Sequence, residues 1–292
     1  MGFFTGKELL ELCQNNKYQI YDATIEYENE KTGIAKEAIL ERMMINLKIM
    51  KEAATRAFSE EIGGKIIGGE SRKLRERYEN TKPVCGNTMA RAVSYALSTM
   101  EVNASMGKIV AAPTAGSCGV IPAVFLSLSE SHQISDELLL KGLFTTSGVG
   151  IVIANNATLS GAQGGCQAEV GSASAMAAAG VVEMMGGTPE QALHAAAIAL
   201  KNLMGLVCDP IAGLVEAPCT KRNAIGTSNA LISAEMALAG ITSVVPFDEV
   251  VEAMYKVGLS MPCSLRETSL GGVAATPTAK KIEKEIFGYN IT

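Results

Sequence analysis

Seven cysteines, at positions 13, 85, 118, 166, 208, 219 and 263, carry the widest chemical reach in this sequence, and three of them stand in unusual settings. Cys166 closes the stretch Gly161-Ala162-Gln163-Gly164-Gly165-Cys166. Cys208 and Cys219 bracket Cys208-Asp209-Pro210-Ile211-Ala212-Gly213-Leu214-Val215-Glu216-Ala217-Pro218-Cys219. The run between these irregular pieces reads as two helices, so a chain that folds back on itself can bring three thiols to one point, the geometry of a metal cluster. No Cys-x-x-Cys pair occurs, which excludes zinc ribbons, thioredoxin-type sites and ferredoxin-type spacing. The competing reading is that cysteine is a common small residue of Ala-rich cores, where it is inert. That reading serves for Cys13 and Cys85. Cys219 precedes Thr220-Lys221-Arg222, whose cations favour a thiolate. Spacing alone leaves both readings open for Cys166, Cys208 and Cys219.

A second stretch with chemical potential is Pro113-Thr114-Ala115-Gly116-Ser117-Cys118-Gly119, which runs into an apolar helical segment. A loop of this composition at a helix start offers unpaired N–H groups to a carboxylate or phosphate. It also suits a plain tight turn between packed helices. The two histidines offer less. His132 lies in a polar connection and reads as a surface residue; His194 lies in an Ala-rich helix and reads as a satisfied core residue.

The elements that must position these groups are helices. Thr5-Gly6-Lys7-Glu8 has the form of a capping box ahead of a short first helix. Ile39, Met43, Leu47, Met50, Ala54 and Phe58 recur at intervals of three or four, predicting a long helix that stops at Gly63-Gly64. The charged piece from Ser71 to Lys82 is the least core-like and is expected to be the most mobile. Helical patterns follow over Thr88–Met106 and from Ser135 into the apolar stretch 148–154, where a short buried strand over 149–153 is the alternative. Residues 167–186 are unusually small and allow close helix approach. Thr188-Pro189-Glu190-Gln191 supplies an N-cap, a Pro at the first helical position and a Gln at the third. That helix is expected to end at Gly205. Further helices are expected from Cys219 through Met236, from Pro246 to Gly258 and from Pro277. With no alternating strand pattern and no internal repeat, the expectation is a mainly α fold: a single compact all-helical domain over 1–292, with irregular loops around a central cluster site.

Composition narrows the function classes. The 292 residues carry 25 Lys plus Arg against 30 Asp plus Glu, a formal charge of -5 with no block of like charges, so neither nucleic acid nor an anionic membrane is indicated as a partner. The N-terminus has no secretory pattern and no uninterrupted apolar run of spanning length occurs, so a cytoplasmic location is expected. There, an odd number of cysteines points to reduced thiols rather than structural disulfides.

Asn103-Ala104-Ser105-Met106-Gly107, the 113–122 stretch, Gly165-Cys166-Gln167-Ala168-Glu169-Val170-Gly171, the 208–219 stretch and Arg266-Glu267-Thr268 together resemble the α chain of the iron–sulfur L-serine dehydratases, over nearly the whole sequence. The resemblance implies a [4Fe-4S] cluster held by Cys166, Cys208 and Cys219, with one iron open to act as Lewis acid on the β-hydroxyl of L-serine. It also implies loss of water from serine to give pyruvate and ammonia, and a separate β subunit. The substrate carboxylate is expected at Asn103, Ser105, Thr114, Ala115, Gly116, Ser117 and Gly119. Cys118 is read as a loop residue, because a fourth thiolate would close the cluster. Cys263 stands near Arg266-Glu267-Thr268, read either as a polar network by the site or as a locally bonded turn. No catalytic base is identified. An L-cysteine desulfidase with a similar open iron is the alternative enzyme, and a subunit whose cysteines are core residues or hold a structural metal is the non-enzymatic one.

Overall fold

The computed structural model describes residues 2–289, and thirteen α-helices form among these described residues. Helix α1 (Gly6–Asn16) begins with the predicted capping box: Glu8 N–H donates to Thr5 Oγ1 at 3.1 Å and Thr5 N–H donates back to the Glu8 carboxylate at 3.1 Å. The next two N–H groups, of Gly6 and Lys7, donate to Asp248 at 2.6 and 2.9 Å. Asp248 lies in α12 (Phe247–Ser260), far along the chain.

Helix α2 (Ile20–Thr32) went unread in the sequence, and its start shows why. The N–H groups of Ile20 and Tyr21 donate to the buried carboxylate of Glu183, at 2.6 and 3.3 Å, so a partner over 160 residues away completes the cap. Helix α3 (Lys36–Arg56) carries the periodic apolar face but stops earlier than Gly63-Gly64. The chain then turns through an isolated antiparallel bridge, Gly63 to Gly68, folded around Glu216, whose carboxylate accepts from Lys65, Ile66 and Ile67 N–H at 2.7–3.1 Å.

Most of the charged piece from Ser71 to Lys82 lies in helix α4 (Glu70–Asn80). Its polar sequence gives it no core stripe, yet its start is tied down: Glu70 N–H, Ser71 N–H and the Ser71 hydroxyl all donate to the buried Glu101 of α5 (Gly86–Ala104). A buried carboxylate at a helix start meets both the free N–H groups and the positive end of the dipole.

After α6 (Val120–His132) and α7 (Asp136–Asn156) come the short α8 (Gly161–Gly164) and a π-helical turn, Gln167–Gly171, that winds directly into α9 (Ser172–Met184). Every residue of α9 is buried. It is the axle of the molecule, packed by α6, α7, α10 (Pro189–Asn202) and α11 (Cys219–Leu238). Its Ala, Ser and Gly side chains add little apolar area each, but they let neighbouring helices close in to crystal-like density. Helix α7 does the same with glycines: a Cβ at Gly148 would sit 2.4 Å from Thr24 Oγ1, and one at Gly142 would sit 2.7 Å from Met184 Sδ. Residues 149–153 are therefore helix, wedged between α2 and α9. Among the described residues α7 is the helix long and apolar enough to cross a membrane, but 67% of that window is buried inside the protein. Helix α10 starts at the N-cap read from the sequence, where Thr188 and Gln191 bond reciprocally, and ends at Asn202, three residues before Gly205.

No strand forms among the described residues beyond single bridges, and the last helix, α13 (Pro277–Phe287), closes the chain as expected. The fold class is mainly α. Loops 105–119, 157–165, 203–218 and 261–276 converge on the π-turn end of α9.

Candidate functional site

The π turn holds the site. One extra residue per turn offsets the helix register, a feature that recurs at functional positions. Gly165, at φ +77°, sets up the entry: a Cβ there would lie 2.8 Å from Leu206 O and 2.7 Å from Met261 Sδ, so only glycine brings the two segments this close. The buried Gln167 then stitches them, with its N–H on Leu206 O at 3.0 Å and its Oε1 accepting from Gly205 N–H at 2.9 Å. Cys166 and Cys208, 42 residues apart in sequence, thereby meet.

The ligand atoms of Cys166, Glu169 and Cys208 lie within 4.8 Å of one another. Cys208 is held in turn by the Arg266 segment, donating its N–H to Leu265 O at 2.9 Å and accepting from Glu267 N–H at 2.7 Å. Arg266-Glu267-Thr268 thus borders the site through its backbone, and the left-handed conformations of Ala212, Glu267 and Ser269 cluster there. Cys219 is the first residue of α11, buried at 6% exposure, and lies outside the 4.8 Å group.

The thiols differ in proton affinity. The Cys208 thiol donates to Cys166 and the Arg222 guanidinium lies beside it, so Cys166 is held below the ordinary thiol value in spite of burial. Cys208 is pushed up by that same bond and by burial. Cys219 is pushed up to about 12, first by burial and then by the negative charges of Cys166 and Glu169. The cation read beside Cys219 in sequence therefore serves Cys166: Arg222 Nη1 stands 3.7 Å from Cys166 Sγ. Lys221 pairs with Glu70.

The 114–119 loop faces this group. Thr114 Oγ1 donates to Glu169 Oε1 at 2.8 Å, and Thr114 and Ser117 bond to each other across the turn. Asn223 of α11 clamps the loop by donating to Gly116 O at 2.8 Å and accepting from Gly119 N–H at 3.0 Å. Gly119 N–H is thus taken, and the N–H groups of Ala115 and Gly116 open the turn. Asn103 reaches the loop through Ala115 O at 3.4 Å. Ser105 does not; its hydroxyl bonds Val102 O at 2.8 Å in its own helix end. Sequence reading gave no role to Asn223 or Glu169, whose partners lie 55 or more residues away in the chain.

Glu169 is raised above the ordinary carboxylate range, chiefly by burial and further by Glu267, with the Thr114 bond opposing. Four buried carboxylates have backbone donors: Glu101, Glu183 and Glu216 each take two or three N–H groups, and Asp209 takes that of Val273 at 2.6 Å. Among the described residues Glu169 has the Thr114 hydroxyl as its one hydrogen-bond donor.

The donor set fits a thiolate-bound metal group. Three buried free thiols come from three segments, and a Cβ at Gly161 would fall 2.5 Å from Glu169 Oε2 and 3.1 Å from Cys208 Sγ, filling the space beside them. Cys118 is committed elsewhere, its thiol 3.7 Å from Met100 Sδ and pushed up to about 12 by complete burial. Cys13 is likewise core, whereas Cys85 and Cys263 are exposed. His132 is exposed at the end of α6, and His194 accepts from Ser243 N–H at 3.4 Å on α10. Neither joins the group.

Comparison with known proteins finds relatives over nearly the whole chain. The profile of the serine dehydratase alpha chain family matches residues 15–274. The probable L-serine dehydratase alpha chain of Bacillus subtilis is 53% identical over 288 residues, covering 98% of this chain and 96% of its own. The L-serine dehydratase alpha chain of Peptoniphilus asaccharolyticus is 49% identical, covering 97% and 98%. The L-serine dehydratase of Helicobacter pylori is 36% identical over 94% of this chain but only 62% of its own, longer sequence.

Proposed function

The chain belongs to the serine dehydratase alpha chain family, and from that premise we propose that it is the catalytic subunit of a cytoplasmic L-serine ammonia-lyase, with Cys166, Cys208 and Cys219 holding a [4Fe-4S] cluster. The observation that carries this reading is the meeting of Cys166, Glu169 and Cys208 directly beside the Thr114 loop. When bound, the cluster supplies a Lewis acid for the β-hydroxyl, since three thiolates leave one of four irons without a protein ligand.

The chain's own residues supply the rest. The N–H groups of Ala115 and Gly116 receive the serine carboxylate, on a loop that Asn223 and Asn103 hold in place. Thr114 fixes Glu169 Oε1, leaving Oε2 directed at the group; that oxygen takes the α proton as general base. Serine thereby loses the α proton and the β-hydroxyl as water. The aminoacrylate product tautomerises to an imine, which water hydrolyses to pyruvate and ammonium. Burial favours the proton on Glu169, which assists its acceptance.

The naming of relatives as alpha chains, beside a longer single-chain relative, supports a separate β subunit as partner. The test is iron and sulfide content with the visible spectrum of anaerobically purified chain, with pyruvate formation from L-serine measured with and without the β chain. Wild type is expected to hold about four irons per chain, and Cys166→Ala to lose both colour and activity. Iron-free wild type under those conditions would remove the cluster from the reading, and turnover of L-cysteine in preference to L-serine would replace dehydration with desulfuration.

A further inference from the structure

We propose that Arg222 is a positioning residue that gathers the three cysteine segments and sets the charge balance of the cluster they hold; this rests on the cluster reading above. From the Cys219 segment, one guanidinium reaches the other two. Its Nη1 stands 3.7 Å from Cys166 Sγ and donates to Val207 O at 2.8 Å, the carbonyl next to Cys208. Its Nη2 lies 2.7 Å from Asp209 Oδ1, on the other side of Cys208, as a charge contact rather than an aligned hydrogen bond. The third segment is its own, because Arg222 follows Cys219 by three residues, nearly one turn of α11, and Arg222 N–H bonds Pro218 O at 3.1 Å.

The pair is enclosed, with side-chain exposures of 14% for Arg222 and 2% for Asp209. Asp209 is itself fixed by Val273 N–H and by the glycine at 272, where a Cβ would fall 2.1 Å from Oδ2. A planar fork with five donors can serve a sulfur, a carbonyl and a carboxylate at once, which a lysine ammonium cannot do in the same geometry. Two consequences follow for a bound cluster. The pocket is assembled before the metal arrives, and a permanent positive charge with an N–H donor sits on one thiolate ligand, a lever on cluster potential and retention.

The test compares wild type, Arg222→Met, Arg222→Lys and Asp209→Asn, each purified anaerobically with the partner chain. Iron retention is read against a chelator, and the cluster's reduction potential by redox titration. Arg222→Met is expected to hold iron about 10–100-fold more weakly, as loss of an outer-shell partner does, and its remaining cluster to reduce at a more negative potential. Arg222→Lys is expected to recover much of the potential but not the retention, and Asp209→Asn to fall between. A fold-stabilising role alone would leave the potential of the folded fraction unchanged, so equal potentials in Arg222→Met and wild type overturn the proposal. Should Arg222→Met fail to fold, wild-type retention in Arg222→Lys overturns it. Iron-free wild type overturns the cluster reading and this proposal together, whereas loaded wild type beside an unaffected variant overturns this proposal alone.

Discussion

Glu169 and Glu183 stand at opposite ends of one helical run, the π turn continuing into α9, and their chemistry diverges. Glu183 is buried and Glu169 partly so, both are raised above the ordinary carboxylate range chiefly by desolvation, and both accept from a threonine hydroxyl, Thr114 for Glu169 and Thr145 for Glu183. The difference is in the remaining lone pairs. Glu183 gives them to Ile20 and Tyr21 N–H and so becomes part of a helix cap. Glu169 has no such claim on it, and its Oε2 faces Cys208 and the space left by Gly161. Burial does not make a carboxylate catalytic. What its lone pairs are bonded to decides that.

The largest effect that tests this contrast is Glu169→Gln. Activity is expected to fall by about 10²–10⁴-fold, the range for loss of a general base, with iron content and melting temperature close to wild type. Wild-type turnover in that variant would remove Glu169 from the chemistry. Glu183→Gln is expected to do the reverse, costing about 1–3 kcal/mol of stability, because the new amide presents donors to the N–H groups of α2, while turnover per folded chain is kept. Denaturant titration at several pH values sharpens the point. A raised folded value means that the protonated Glu183 is favoured in the folded chain, so its contribution is fully present below the ordinary value of 4.5 and is lost as pH rises through the raised one. The penalty of Glu183→Gln should therefore be largest in acid and shrink on the way to neutral pH. The smallest effect is expected from Thr114→Val, which frees Glu169 Oε1 at a cost of about 0.5–1.5 kcal/mol, read as a decrease in kcat below about tenfold without loss of iron.

The same contrast accounts for what was legible in the sequence. Local signals read correctly: the capping box at Thr5 and the N-cap at Thr188 formed as written, Pro189 opened α10, and the small-residue run became the buried axle. The segments around Cys166 and Cys208 met, as the two helices read between them allowed. Misreadings came where one end of an element depends on a remote acid. Helix α2 has no strong apolar face of its own and starts on Glu183; α4 has a charged sequence in which no helix was read and starts on Glu101. Nothing within a few residues of Ile20 or Glu70 announces those partners. Arg222 was legible as a cation near a thiol, but its bend away from Cys219 to Cys166 depends on tertiary geometry alone. The π turn has no local signature for the same reason: its extra residue is accommodated by packing against segments 205–208 and α12.

The caps supplied from far along the chain bear on how the protein comes off the ribosome. The first helix acquires its last two N–H acceptors from Asp248, and the second acquires its cap from Glu183. Translation normally lets early segments settle while later ones are still being made. Here the opening two helices wait for residues synthesised much later, so a nascent chain arrested before residue 183 exposes α2 with two donors unmet, and one arrested before 248 leaves α1 unfinished.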